Sequence, residues 1–159
     1  MKLYFANGLF SQADFDFNAK LVAQLRAANP GLTIYLPQEN TAINDKQAYA
    51  DSKMIAEADT KEVLSADAMI AVLDGPVIDA GVASEIGIAY AKGMHLFGLY
   101  TDSRQQGATN AKKIAALQTV AENQFHYLNL YTVGLIKLNG EVYSTPEALV
   151  AAVHDFVQN

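Results

Sequence analysis

Short apolar runs alternate with helix-spaced stripes along the whole chain. Lys2 to Ala6 reads as a short buried strand and Asn7-Gly8-Leu9-Phe10-Ser11 as a turn; Gln12 to Ala28 follows as a helix with Phe17, Leu21 and Leu25 at fourfold spacing. Asn29-Pro30-Gly31 stops that helix, and Leu32 to Leu36 supplies a second strand. Pro37-Gln38-Glu39-Asn40 opens a polar loop, after which a helical region runs from about Asp45 to Leu64. Ala68-Met69-Ile70-Ala71-Val72-Leu73 is the most uniformly apolar strand, as a central parallel strand covered on both faces requires, and Asp74-Gly75-Pro76 ends it.

The second half keeps the rhythm. A helix around Glu85 ends at Gly93, His95 to Tyr100 forms a fourth strand, and a helix covers about Asn110 to Ala121. Asn129 to Ile136 fits strand or helix equally. A short element near Val142 and Tyr143 precedes a last helix, opened by Ser144-Thr145-Pro146-Glu147 and striped by Leu149, Val153 and Phe156. Alternating strands and helices predict an α/β fold: a doubly wound parallel sheet with right-handed crossovers, and ligands beyond the carboxyl ends of the strands at the switch point. The 159 residues, 51% of them hydrophobic, suit one domain spanning 1–159.

A net charge of -6 and the lack of any Lys/Arg run argue against nucleic acid or an anionic membrane as partner. With no cysteine there is no thiolate nucleophile or thiolate metal site. The apolar run at Met1–Ala6 is too short for a signal peptide and no stretch approaches the ~18 apolar residues of a membrane span, so the expected location is cytoplasmic.

One helix carries an anomaly. Between Asp79 and Lys92, Glu85 is the only side chain charged at pH 7, and Ile88 and Ala89 share its helical face. Burying an unpaired carboxylate there costs several kcal/mol or drives its pKa upward, and a chain keeps such a group when a site uses it. Asp79 stands at a natural N-cap of the same helix, with Gly81 and Gly87 allowing close approach of a ligand or backbone.

Other chemistries lack their residues. Neither Gly-x-Gly-x-x-Gly after the first strand nor a Gly-Lys-Ser/Thr loop is present, and Ser84 has no Gly-x-Ser-x-Gly context. His95, His126 and His154 lie apart without metal-ligand spacing. Among the carboxylates, Asp67 flanks the amino end of its strand, Asp74 suits a turn, and Asp59 taken alone reads as a solvated helix face. Substitution at a sugar anomeric carbon needs isolated carboxylates and neither metal nor thiol. One attacks to form a glycosyl ester, and a second acid assists the leaving group. Glu85 is the candidate nucleophile, and a hydrogen bond from Tyr4 at the end of the first strand would orient it and restrain its pKa.

These residues resemble the nucleoside 2-deoxyribosyltransferases, a family of flavodoxin-like fold. The likeness comprises Leu3-Tyr4-Phe5-Ala6 with Gly8 and Phe10, then Asp59, the strand from Asp67 to Leu73, Asp79-x-Gly81-x-x-x-Glu85-x-Gly87-x-Ala89, and Asn129-Leu130 with Gly134. It implies that Glu85 attacks C1′ of a 2′-deoxynucleoside and that a second nucleobase captures the deoxyribosyl ester. It further implies that Asp59 exchanges a proton with the base, Tyr4 orients Glu85, Phe10 stacks near the base beside Gly8, and Gln38 touches the base. Asp79 would hold the 5′-hydroxyl. Asn129 resembles an asparagine lent by a neighbouring subunit, which implies a homo-oligomer with shared sites. The partners implied are 2′-deoxynucleosides and free nucleobases, with a strong preference for 2′-deoxyribose and no cofactor or metal.

The chain departs from the family at its end, where Pro146 to Val157 and Gln158-Asn159 replace an aromatic, carboxylate-terminated tail. Two other functions fit the pattern. A 2′-deoxynucleoside 5′-monophosphate N-glycosidase would use the same glutamate with water as acceptor, but Asp79 would repel the phosphate by about 1 to 4 kcal/mol at a few ångströms. A non-catalytic nucleotide-binding flavodoxin-like module would keep Glu85 as a paired core carboxylate.

Overall fold

Strand alternation decides where the chemistry goes. Lys2–Ala6 forms β1, and its two-residue period sends Leu3 and Phe5 into one apolar cluster and Tyr4 and Ala6 into another. Both faces of the strand are dry, which is why it reads as a continuous apolar run. The computed structural model describes residues 1–41, 49–105 and 107–159. In it β1 pairs with β2 (Thr33–Tyr35) and β3 (Ala68–Val72), β3 with β4 (His95–Leu99), and β4 with β5 (Gly140–Tyr143). All pairs are parallel, and the order β2-β1-β3-β4-β5 is the flavodoxin-like one, with its switch point between β1 and β3.

On the Leu3 and Phe5 face lie α1 (Gln12–Ala28), through Leu21, Val22 and Leu25, and α6 (Pro146–Gln158), through Leu149 and Val153. The Tyr4 face is covered by α2 (Ser52–Ser65) with Val63 and by α3 (Ala80–Ala91) with Val82, Ile86 and Ala89. Leu135 and Ile136 of α5 (Leu130–Asn139) complete that face. Local chemistry sets the helix starts: Ser11 and Asp14 form a capping box on α1, Asp79 caps α3, and Thr145 caps α6 with Pro146 in its first turn.

The structure resolves the ambiguous segment after Asn129 as helix, because Asn129 caps it and Thr132, Leu135 and Ile136 find a buried face. The helix expected over Asn110–Ala121 is shorter. It is helical as α4 (Ala111–Ala115), tightens to a 3-10 turn over Ala116–Gln118, and leaves Ile114, Leu117 and Val120 exposed. A helix with no face to bury has little to hold it. The early part of the helix expected from Asp45 lies outside the described residues; α2 begins at Ser52, capped by Asp51.

Gly140 shows why β5 can join the sheet: a Cβ there would stand 1.9 Å from the Leu96 carbonyl oxygen. Asp67 accepts the Lys2 N–H at the amino edge, and Asp74, expected to form a turn, accepts the N–H and hydroxyl of Thr101 at 2.7 and 2.6 Å and so ties the carboxyl ends of β3 and β4 together. No described helix is long and apolar enough to cross a membrane.

Candidate active site

Because Tyr4 points to the face covered by α2 and α3, its ring lies under the two helices that bring the carboxylates. Tyr4 is 0% exposed, and its hydroxyl donates to Glu85 Oε1 at 2.6 Å. Tyr35, one strand over and in register with it, stacks on the Tyr4 ring with centroids 5.5 Å apart and accepts from Asn40 Nδ2 at 3.0 Å. The phenol that holds Glu85 is thus fixed by strand pairing below and by ring stacking beside it.

Glu85 is half-buried in α3. Burial pushes its carboxyl up to about 7; the Tyr4 hydrogen bond opposes this, and the nearby charges of Asp59 and Asp79 add to it. Tyr4 is held well above its ordinary range, first by burial and then by the Glu85 charge, so it remains a donor. Asp59 is half-buried on α2, where burial and the neighbouring Glu62 raise its carboxyl. The ion pairs among the described residues are Lys2 with Glu62, Arg26 with Glu39 and Arg104 with Asp102, and none of them takes in Glu85, Asp59 or Asp79. Two carboxyls with raised affinity for protons, one hydrogen-bonded to a permanent donor, can divide nucleophilic and proton-transfer work.

Asp79 accepts from the N–H groups of Gly81 and Val82 at 2.9 and 3.1 Å, both on Oδ1. A Cβ at Gly81 would lie 3.0 Å from that oxygen, so this glycine makes room for the cap. At Gly87 a Cβ would meet nothing within 4 Å.

Tyr4, Asp59, Asp79 and Glu85 therefore converge. Gly8 and Gln38 are joined to each other by a residue that sequence reasoning missed. Asn18, 1% exposed, donates to the Gly8 carbonyl and to Gln38 Oε1, each at 3.0 Å, and accepts from Asn7 Nδ2 at 2.7 Å. Its signal was available, since Asn18 stands three, four and seven residues before the buried Leu21, Val22 and Leu25. Phe10, 80% exposed, projects from the β1–α1 turn. Asn129 is exposed, and its side chain accepts from the Thr132 N–H at 3.1 Å and hydroxyl at 3.3 Å, which places it at the start of α5 and not in the Glu85 cluster.

The histidines stay apart. His95 stacks on Phe156, His126 lies beside Tyr100, and His154 Nδ1 is 3.0 Å from Asn29 Oδ1. Among the described residues no group of three or more His, Cys, Asp or Glu could hold a metal ion.

The buried tyrosine on a helix carboxylate, flanked by two further acids, falls inside a span of known descent. A family model described as nucleoside 2-deoxyribosyltransferase matches residues 3–131. The chain belongs to this family. The match takes in Tyr4, Asp59, Asp79, Glu85 and Asn129 and stops ahead of β5 and α6. Its members handle glycosyl groups, and the small-molecule partners expected from the sequence are nucleosides and nucleobases of the kind this deoxyribosyltransferase family acts on.

Among solved structures, a conserved protein from Enterococcus faecalis V583 is 67% identical with a TM-score of 0.90, covering 94% of each chain. A 2-deoxyribosyltransferase from Bacillus psychrosaccharolyticus shares the fold at 18% identity and a TM-score of 0.65, covering 94% of this chain and 90% of that one. A CMP N-glycosidase from Clostridium botulinum does so at 15% identity and 0.52, covering 98% and 99%. No curated protein matches the chain.

Proposed function

We propose that this protein exchanges nucleobases on 2-deoxyribose by two displacements through Glu85. The observation that carries the proposal is the 2.6 Å hydrogen bond from Tyr4 to a half-buried Glu85 that enters none of the ion pairs among the described residues. Tyr4 occupies Oε1, which leaves Oε2 to attack C1′. As the C1′–O bond forms and the C1′–N bond breaks, Asp59 gives a proton to the departing base. A second base then attacks C1′, returns a proton to Asp59 and frees the Glu85 carboxylate. No metal or cofactor enters this scheme, because the nucleophile is the protein's own and the leaving base needs only a proton.

Asp79 bears on what sits at the 5′ end. A carboxylate accepts from a hydroxyl but repels a phosphate by about 1 to 4 kcal/mol at close range, which favours nucleosides over their 5′-monophosphates. Water in place of the second base would make the same machinery a hydrolase, the outcome named for the Clostridium botulinum neighbour. The shared-site proposal rests on Asn129 at the exposed start of α5, where Leu130 and Tyr131 are 84% and 76% exposed and available to a second copy.

Brief exposure of the intact protein to deoxyadenosine without acceptor, followed by mass spectrometry, should reveal a deoxyribosyl adduct mapped to Glu85. Addition of a second base should then yield the exchanged nucleoside. Base release without exchange would show the N-glycosidase instead, and neither adduct nor release would show a binding module.

A further inference from the structure

Buried Asn18 and its half-buried neighbours Asn7 and Gln38 form a single hydrogen-bonded chain with backbone groups at both ends. Gly8 N–H donates to Asn7 Oδ1 at 2.8 Å, Asn7 Nδ2 donates to Asn18 Oδ1 at 2.7 Å, Asn18 Nδ2 donates to Gln38 Oε1 at 3.0 Å, and Gln38 Nε2 donates to the Phe15 carbonyl at 3.2 Å. An N–H can only donate and a carbonyl can only accept. Starting from either end, the oxygen and nitrogen of all three side-chain amides are fixed without ambiguity. The remaining Asn18 N–H goes to the Gly8 carbonyl at 3.0 Å, so this side chain has no spare hydrogen and ties the turn bearing Phe10 to the loop bearing Gln38.

We propose that Asn18 is a positioning residue for base recognition: it locks the sense of the Gln38 amide, so that Gln38 reads a base by the order of donors and acceptors on its edge. The inference rests on the proposed base exchange at Glu85 and on the base contact that the family resemblance implies for Gln38. With Oε1 committed to Asn18 and one N–H committed to Phe15, Gln38 retains one N–H and one lone pair in a set order. On its Watson–Crick edge adenine presents an acceptor, N1, next to a donor, the 6-amino group, whereas hypoxanthine presents the reverse, the N1–H donor next to the O6 acceptor. An amide free to turn over could adapt to either; one held at both ends cannot, and the mismatched base leaves a polar group unpaired. Asn18 is suited to this by its place on the sheet-facing stripe of α1, where an apolar residue would pack equally well but hold nothing.

The test measures base exchange with adenine and with hypoxanthine as acceptors for wild type, Asn18→Ser, Asn18→Asp, Gln38→Ala and the double variant Asn18→Ser/Gln38→Ala, with thermal melts to establish folding. The shorter hydroxyl of Asn18→Ser cannot brace the amide, so the ratio of kcat/KM for the two bases should move toward one by about fivefold or more, chiefly through KM. The ionised carboxylate of Asn18→Asp offers only acceptors and should carry the ratio past one by turning Gln38 over; if the added buried charge prevents folding, the serine variant carries the test alone. In the Gln38→Ala background Asn18→Ser should leave the ratio where it is. A merely structural asparagine would lower both activities together, and that result, an unmoved ratio, or an equal shift without Gln38 would overturn the inference. Absence of both exchange and base release in the wild type would instead fall on the Glu85 proposal and remove this one with it.

Discussion

Tyr4→Phe removes one hydroxyl from a fully buried ring and keeps its packing against Tyr35, so its effect should come through Glu85. The hydrogen bond it deletes is the influence that lowers the Glu85 pKa, which burial, Asp59 and Asp79 all raise. A hydrogen bond to a charged group is worth about 1.5–3 kcal/mol, and a pKa unit is about 1.4 kcal/mol, so its loss should raise the Glu85 pKa by roughly one to two units. Attack requires the ionised form. With a starting value of about 7, roughly a tenth of Glu85 is ionised at pH 6; a shift of one unit leaves about a hundredth. The variant should therefore fall about tenfold or more behind wild type in kcat/KM at pH 6, and the gap should narrow to about twofold or less by pH 9, where Glu85 of the variant is at least half ionised. The assay is a pH series of deoxyadenosine-to-hypoxanthine exchange at low substrate. A uniform loss across pH 6–9 would refute ionisation control, and an unchanged profile would refute any role for Tyr4 at the nucleophile.

The same carboxyl governs stability. Its folded pKa of about 7 exceeds the ordinary 4.5, so the folded protein holds a proton that the unfolded chain releases, and stability is lost as pH rises through that window, by about 3 kcal/mol from this group. Glu85→Gln should abolish exchange yet raise the denaturant midpoint at pH 8, with little gain at pH 4.5; an equal gain at both would contradict the assignment. Asp59→Asn should slow base departure by about 10²-fold, and a donor whose leaving group departs as a stable anion should recover most of the rate. A loss equal for both donors would remove the proton-transfer role. Asp79→Ser keeps an N-cap while removing the charge, so the preference for nucleosides over 5′-monophosphates should shrink by about tenfold, read as a ratio of kcat/KM. A ratio that does not move would place the 5′ end elsewhere.

What could be read from the sequence, and what could not, divides by the range of the interactions. The strand run at Ala68–Val72, the Asp79 cap and the Thr145-Pro146 helix start are local patterns, and each lies where its residues predict. The Glu85 anomaly was legible for the same reason: a charge in an apolar helix is visible one turn at a time. The segment from Asn110 to Ala121 misled because helix propensity is local while burial is not, and Ile114 and Leu117 stay exposed. Asn18 was missed although it breaks an apolar stripe as Glu85 does, because an amide carries no charge to announce it. Its partners lie on two loops, Asn7 and Gly8 after β1 and Gln38 after β2, that only the β1–β2 pairing brings together.

The fold itself supplies the reason these residues share one place. In the order β2-β1-β3-β4-β5 the chain departs from β1 in both directions, so the loops after β1 and β2 and the helices bracketing β3 all open onto the same edge. Tyr4 lies in β1, opposite Tyr35 in β2 and Met69 in β3, and its outward ring therefore meets whatever α2 and α3 carry across that pair. A one-residue slip of β1 would exchange Tyr4 for Leu3 or Phe5 and face the phenol to α1 and α6 instead. The hydroxyl would be lost from Glu85 and the carboxylate left without its donor. The register of a five-residue strand thus decides the ionisation of the group proposed as nucleophile, which ties that proposal to the core and not to the surface.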